Sequence, residues 1–197
     1  MVSGRPVEFL RKRLGLDGVA LIGQYGLEHL VGGDVVVDER APPYYDAVAA
    51  AAEEARQDWP HLLIERKGRL TVTVHWRDRD APAVDAVHAL AARHGLAALD
   101  TRMACELRPP VPVDKGSALA ELLQSSDVDA AAFAGDDRGD LTAFDALDRL
   151  VAVGNLRHAA RIAVSSDEVP AELLERADLV VEGPAGVAEL LSSLVQP

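Results

Sequence analysis

The segment Gly135-Asp136-Asp137-Arg138-Gly139-Asp140 sets three carboxylates on one glycine-containing turn. The apolar run from Val128 to Ala134 that leads into it reads as a buried strand, and Leu141 to Val151 follows with helix-like spacing. The acids are therefore expected at the carboxyl end of a strand, where open α/β sheets bind ligands. Three anions held together repel one another unless something cationic fills the space. A hard divalent ion such as Mg²⁺, held by one or two carboxylates plus waters and a phosphate, suits such a place. Taken alone, the same residues also fit a solvated acidic turn.

Composition narrows the class of protein. The chain has 197 residues, enough for one large or two small domains with a real core. Hydrophobic residues make up 49% of it, but only eight are aromatic, so the core must be built from Ala, Val and Leu. A formal net charge of −12 argues against non-specific binding to nucleic acid or to an anionic membrane. It leaves a phosphorylated small molecule open, because local cations decide that. The one cysteine, Cys105, excludes an internal disulfide and fits a reducing cytosol; as a residue it reads as a small buried hydrophobe. No apolar stretch approaches 18 residues and no leader pattern opens the chain, so a soluble, cytoplasmic protein is expected.

The elements that must position the acids alternate along the chain. Val19 to Gly23 reads as a short strand, and Val35 to Asp38 as the return arm of a hairpin turned at Gly32-Gly33. Tyr44 to Trp59 is an alanine-rich amphipathic helix stopped by Pro60. His61 to Glu65 and Leu70 to Trp76 form a hairpin through Lys67-Gly68-Arg69, the second arm alternating with one wet and one packed face. A helix over 83–94 ends at Gly95, and strands follow at Ala97 to Thr101 and Ala104 to Leu107. Residues 44 to 107 thus predict an open-faced α+β sandwich with an antiparallel sheet. Beyond Pro109-Pro110 the order becomes helix (Lys115 to Gln124), strand, helix, strand (Ala160 to Ser165), strand (Leu179 to Val181) and a closing helix from Pro184. Strands alternating with helices predict right-handed crossovers and a parallel sheet. The expected fold class is α/β: a Rossmann-like parallel core, residues 1–40 and 109–197, interrupted by an antiparallel α+β insert, residues 41–108.

Three motifs stand in order: Ser3-Gly4-Arg5-Pro6, then Asp114-Lys115-Gly116 at a helix start, then the acids. With an α+β insert between the first two, this resembles the haloacid dehalogenase superfamily of phosphotransferases. Gln24 to Glu28, Glu65-Arg66-Lys67, His75-Trp76-Arg77 and Glu106-Leu107-Arg108-Pro109 make it similar, more narrowly, to the trehalose-6-phosphate phosphatases. The resemblance implies Mg²⁺-dependent hydrolysis of a sugar phosphate through an aspartyl-phosphate. It further implies that Lys115 and Ser3 contact the phosphoryl group and that Asp136 ligates the metal directly, with Asp137 and Asp140 beside it. Arg5, Glu65, Lys67, His75, Arg77, Glu106 and Arg108 would bind the substrate, the insert acting as a lid that excludes water. Simpler readings stand beside these: His75 and Arg77 as the wet face of a hairpin, Ser3 as a loose terminal residue, and His29, His61, His88 and His94 without metal spacing.

The resemblance also implies a part that these residues do not contain. Superfamily members carry Asp-x-Asp-Gly-Thr on a central strand ahead of the Ser-containing motif; its first acid attacks phosphorus and its second serves as general acid and base. Asp127-x-Asp129 precedes its strand, and Asp78-x-Asp80 lacks the Gly-Thr and follows a hairpin arm of the insert, so neither fits. The expectation is of a chain that starts short of its first strand, marginally stable and inactive alone. A non-catalytic sugar-phosphate-binding remnant and a related sugar-phosphate phosphatase are the alternatives.

Overall fold

A computed structural model describes residues 1–195 apart from 16, 78–80, 83 and 102. The Asp78-x-Asp80 pair and the first residue of the predicted 83–94 helix lie outside the described residues. The chain divides into two compact units, Met1–Pro112 and Val113–Pro197.

The first unit opens with α1 (Val7–Leu14) and a small antiparallel sheet, β1 (Ile22–Gly23), β2 (Glu28–Val31) and β3 (Asp34–Val37), whose hairpin turns at Gly32-Gly33 as expected. Then come α2 (Tyr45–Asp58), β4 (Leu63–Lys67), β5 (Thr71–His75), α3 (Val84–Arg93), β6 (Ala97–Thr101) and β7 (Ala104–Arg108). The last four strands form one antiparallel sheet in the order β4-β5-β7-β6. Its apolar face, carrying Val72, Val74, Cys105 and Leu107, is covered by Val48, Ala51, Ala52 and Ala55 of α2 and by Val87, Leu90 and Ala91 of α3. Alanines at 51, 52 and 55 are what let α2 lie close on the sheet, since a small side chain shortens the distance at which layers pack. This is the open-faced sandwich that the alternating patterns predict.

The other face of β5 differs from expectation. Thr71 and Thr73 are each only 1% exposed, where strand alternation suggested a wet face. Period-two patterning separates polar from apolar side chains, but it does not say whether the polar side will be covered.

The second unit alternates: α4 (Lys115–Gln124), β8 (Ala130–Gly135), α5 (Leu141–Ala152), β9 (His158–Ser165), α6 (Ala171–Arg176), β10 (Leu179–Glu182) and α7 (Gly183–Val195). Its three strands are parallel, ordered β10-β9-β8, in agreement with the crossover argument. Ala131 and Phe133 of β8 pack with Leu119, Leu147 and Leu150, while Phe133 also meets Phe144 and Leu173. The segment from Val128 is not the fully buried strand its composition predicts. Val128 is 44% exposed and Ala130, Ala132 and Ala134 are exposed, because among the described residues β8 is paired on one side only and its helices cover one face. Periodicity also missed α1 and α6, which bury only Val7 and Leu10, and only Leu173, too few positions to set a period. No described helix is long and apolar enough to cross a membrane.

A surface network ties this unit together. Arg161 donates to both carboxylate oxygens of Asp178 and to Asp148, and Arg176 pairs with Asp145 and Asp148. The Arg161 hydrogen bonds hold the Asp178 carboxyl at about 2, below its ordinary 3.8. A carboxyl with a depressed folded value stabilises the fold above its unfolded value and loses that contribution as pH falls through the folded one. Asp178→Asn is therefore expected to lower the melting temperature slightly at pH 7, with the difference from the parent fading between pH 4 and pH 2. Thermal melts across that range check it, and a difference independent of pH would count against the pairing.

Candidate active site

In the second unit α4 begins with Asp114 as its N-cap. The Asp114 carboxylate accepts the Ser117 N–H at 2.7 Å, and the Ser117 hydroxyl accepts the Asp114 N–H in return. This fixes Lys115 in the first turn, where a helix macrodipole disfavours a cation. Two carboxylates offset that. The Lys115 ammonium donates to Asp140 Oδ1 at 2.7 Å and to Asp137 Oδ2 at 3.2 Å, and the side chain is buried. Burial works against its charge, but the Asp140 and Asp137 carboxylates outweigh it and raise its pKa above that of an ordinary lysine.

Backbone approach makes the geometry possible. The Gly116 N–H donates to Thr142 Oγ1 at 3.1 Å, and a Cβ at Gly116 would run into the Thr142 carbonyl. A Cβ at Gly135 would likewise run into Asp140. Glycine is needed at both places so that α4 and the end of β8 can close on the acid turn.

The acids form an ordered turn. Asp137 caps it by accepting the Asp140 N–H, while Asp140 Oδ2 accepts the N–H groups of Asp136 and Asp137, each at 3.0 Å. Asp140, 3% exposed, therefore receives three donors. Burial is the larger influence on its carboxyl and pushes it up, the Asp137 charge adding to the rise and Lys115 opposing it. Three donors on one side chain are matched by the ionised form, and Asp140 serves chiefly to hold the turn and Lys115. Asp136 and Asp137 are exposed, and one carboxylate oxygen from each of the three acids lies within 4.8 Å of the other two. The donor set is all oxygen with two outward carboxylates, which fits a hard divalent ion carrying several waters. Asp136, whose carboxylate takes no part in the turn's hydrogen bonds, is the direct ligand candidate, and Asp137 the second.

In the first unit Glu65, Lys67, His75, Glu106 and Arg108 share one face of the four-stranded sheet. Glu65, Thr73 and Glu106 are direct cross-strand neighbours, Glu65 opposite Thr73 and Thr73 opposite Glu106. Glu65 accepts Arg5 Nη1 at 2.6 Å and pairs with His75 Nε2 at 3.0 Å. Its carboxyl is pushed up by burial, but the Arg5 and His75 hydrogen bonds prevail and hold it below the usual glutamate range. Lys67 and Glu106 form a buried ion pair. Glu106 Oε2 is buried and meets no hydrogen-bond donor among the described residues. Arg108 stacks over the Tyr25 ring, with 5.2 Å from guanidinium carbon to ring centre. Arg5, Glu65, Lys67, His75, Glu106 and Arg108 are thus gathered on one polar surface; Arg77 is exposed just beyond β5, and Ser3 Oγ accepts the Arg5 N–H at 3.1 Å.

Two residues to which sequence reasoning gave no role help to build this surface. Gln24, fully buried, donates to the Lys67 carbonyl and accepts the Thr71 hydroxyl at 2.7 Å. It is this side chain that covers the polar end of β5. Gln24 and Tyr25 adopt left-handed backbone conformations, φ 50° and 61°. Glu28 accepts the Val7 N–H at 2.7 Å, closing the first turn of α1. The only signal for either was the polar run Gln24 to Glu28 between apolar strands, which does not say what its side chains reach.

The profile of the trehalose-phosphatase family matches residues 1–175. The trehalose-phosphate phosphatases of Mycobacterium bovis and Mycobacterium tuberculosis are 30% identical to the chain over 209 residues, covering 100% of it and 51% of their own length. The chain thus spans about half the length of the curated relatives it matches. Among solved structures, a trehalose-6-phosphate phosphatase related protein superposes with a TM-score of 0.77 at 25% identity, over 98% of this chain and 79% of that one. The C-terminal domain of the Candida albicans trehalose-6-phosphate phosphatase gives a TM-score of 0.71 at 20% identity, over 98% and 76%, a likeness of fold. A family match over most of its length, with the lysine and acids of the second unit in one cluster, makes this chain a member of the trehalose-phosphatase family.

Proposed function

We propose that the protein takes part in Mg²⁺-dependent hydrolysis of trehalose 6-phosphate to trehalose and phosphate. The observation that carries this is the buried Lys115 locked to Asp140 and Asp137 beside the exposed Asp136, in a chain of this family. In this reading Asp136 and Asp137 hold Mg²⁺, which supplies positive charge against the phosphoryl oxygens. Lys115 places a second, fixed cation there, and Ser3 donates a hydrogen bond to the same group. Glu65, Lys67, His75, Arg77, Glu106, Arg108 and Arg5 take the sugar hydroxyls and phosphate. Glu106 Oε2, buried without a donor among the described residues, supports a hydroxyl as its partner, because an unmatched buried acceptor is costly. The reading assigns residues 1–40 and 109–197 to the phosphate-handling core and 41–108 to the substrate lid. One cysteine in the sequence supports a reducing, cytoplasmic setting.

The 197 residues hold no Asp-x-Asp-Gly-Thr, so the attacking carboxylate is not assigned to any of them. By themselves they are expected to bind Mg²⁺ weakly and to release no phosphate from trehalose 6-phosphate, while a form carrying that motif does. A second reading is that these residues bind a sugar phosphate without hydrolysing it. Phosphate release and equilibrium binding of trehalose 6-phosphate, measured side by side, separate the two. Turnover by the 197 residues alone would place the attacking carboxylate among them and overturn this assignment. Asp136→Asn is expected to weaken Mg²⁺ binding by about tenfold or more, read by calorimetry, with the melting temperature unchanged because its carboxylate holds no part of the turn.

A further inference from the structure

A second group of ligand-type side chains lies on the first unit, among residues the proposed reaction does not use. His88 stands on α3, Asp100 on β6 and Cys105 on β7. Asp100 and Cys105 are direct cross-strand partners, which fixes their side chains on the same face of the sheet, the face that α3 covers. His88 Nε2 is 2.9 Å from Asp100 Oδ1, and one ligand atom from each of His88, Asp100 and Cys105 lies within 4.8 Å of the other two.

We propose that His88, Asp100 and Cys105 form a binding site for a divalent cation of the zinc class. The donors are one imidazole nitrogen, one carboxylate oxygen and one sulfur, a borderline-to-soft set that disfavours Mg²⁺ and Ca²⁺ and suits Zn²⁺ or Co²⁺. This separates it chemically from the all-oxygen cluster at Asp136. Around a zinc ion with bonds of about 2.0–2.3 Å, ligand atoms stand roughly 3.5 Å apart, so modest side-chain rotation brings the three into place. The thiol is anchored, since Cys105 is 1% exposed, whereas the His88 and Asp100 side chains are 43% and 55% exposed. The buried sulfur supplies a fixed point, the two outer ligands can adjust, and solvent provides both the route in and a fourth ligand. On binding, the metal–sulfur bond replaces the thiol S–H and that proton leaves to water; the Nε2 proton of the His88–Asp100 hydrogen bond moves through solvent to Nδ1, and Nε2 and the Asp100 oxygen each bond to the metal instead. The ion would pin α3 to the β6–β7 hairpin at the exposed edge of the apolar contact that Val87, Leu90 and Ala91 already make with Cys105 and Leu107.

Titration of the full 197-residue chain, purified under reducing conditions, with Co²⁺ and then Zn²⁺ tests this. The expected result is one equivalent of Co²⁺ giving a sulfur-to-cobalt charge-transfer band, displaced by Zn²⁺ and untouched by excess Mg²⁺. Cys105→Ser removes the band, and His88→Ala and Asp100→Asn each weaken Zn²⁺ binding by at least about tenfold. Should Cys105→Ser fail to fold, the other two variants decide, because their side chains are exposed. Absence of the charge-transfer band, or Zn²⁺ binding unchanged in both His88→Ala and Asp100→Asn, overturns the proposal. Cobalt bound at the acid cluster produces no sulfur band, so Asp136→Asn leaves the band intact if the site is as assigned.

Discussion

Lys115→Met is expected to lower the unfolding free energy by about 3–5 kcal/mol, the penalty typical of removing one partner of a buried ion pair. Asp140, 3% exposed, would keep its two backbone donors but lose the ammonium that neutralises it. Methionine matches the lysine stem in length, so the loss is of charge more than of packing. The double variant Lys115→Met/Asp140→Asn should recover most of the deficit. Asparagine retains a carbonyl oxygen for the Asp136 and Asp137 N–H groups and carries no charge to strand. The pH dependence follows from sign. Burial already pushes the Asp140 carboxyl above its ordinary 3.8, and removing Lys115 takes away what opposes that rise. A buried acid with a raised folded pKa destabilises the fold most above that value and not at all below the unfolded one. The deficit of Lys115→Met should therefore be greatest at neutral pH and shrink toward pH 4. Urea unfolding of the parent, both single variants and the double at pH 7 and near pH 4 gives the full cycle. A deficit near zero at pH 7 would mean that the ammonium is not what compensates Asp140.

The second large effect lies in the first unit. Lys67→Met is expected to lower the unfolding free energy by a similar amount, about 3–5 kcal/mol, because Glu106 would be left buried with little more than the Thr73 hydroxyl at 3.4 Å. Here the rescue is different. Glu106 holds no backbone N–H, so Lys67→Met/Glu106→Met, which removes both charges, should return close to the parent stability or exceed it, as buried pairs replaced by apolar residues often do. That outcome would show a pair contributing little net stability, as expected of groups kept for a ligand. The two cycles together separate the units: Lys115 and Asp140 cannot both be made apolar without losing the turn, whereas Lys67 and Glu106 can. If the double variant at 67 and 106 proves as unstable as the single one, the pair is structural and its place in a substrate surface is weakened.

Much of this molecule follows from local chemistry. The helix over Lys115–Gln124 is bounded as its capping residues require, Asp114 and Ser117 making the reciprocal bonds that begin it. Strand alternation at 71–75 and 104–108, with the Lys67-Gly68 turn, is enough to give the four-stranded sheet, and the helix–strand order beyond Pro112 gives the parallel one. The acids at 136, 137 and 140 are adjacent in the chain, so a single turn brings them together whatever surrounds it. Lys115 is 25 residues from Asp140, and only the close passage of α4 over the turn, permitted by Gly116 and Gly135, makes them a pair. Glu65, Lys67 and Glu106 likewise meet through strand register, and Gln24 reaches β5 from 47 residues away. Burial of Thr71 and Thr73, and exposure of Ala130, Ala132 and Ala134, follow from which faces find cover. Residue types, caps and periods determined the elements and the inventory of chemical groups, because these depend on neighbours within a few residues. Which groups are paired, buried or left free for a ligand was decided by tertiary structure, because pairing energies and desolvation depend on residues far apart in the chain.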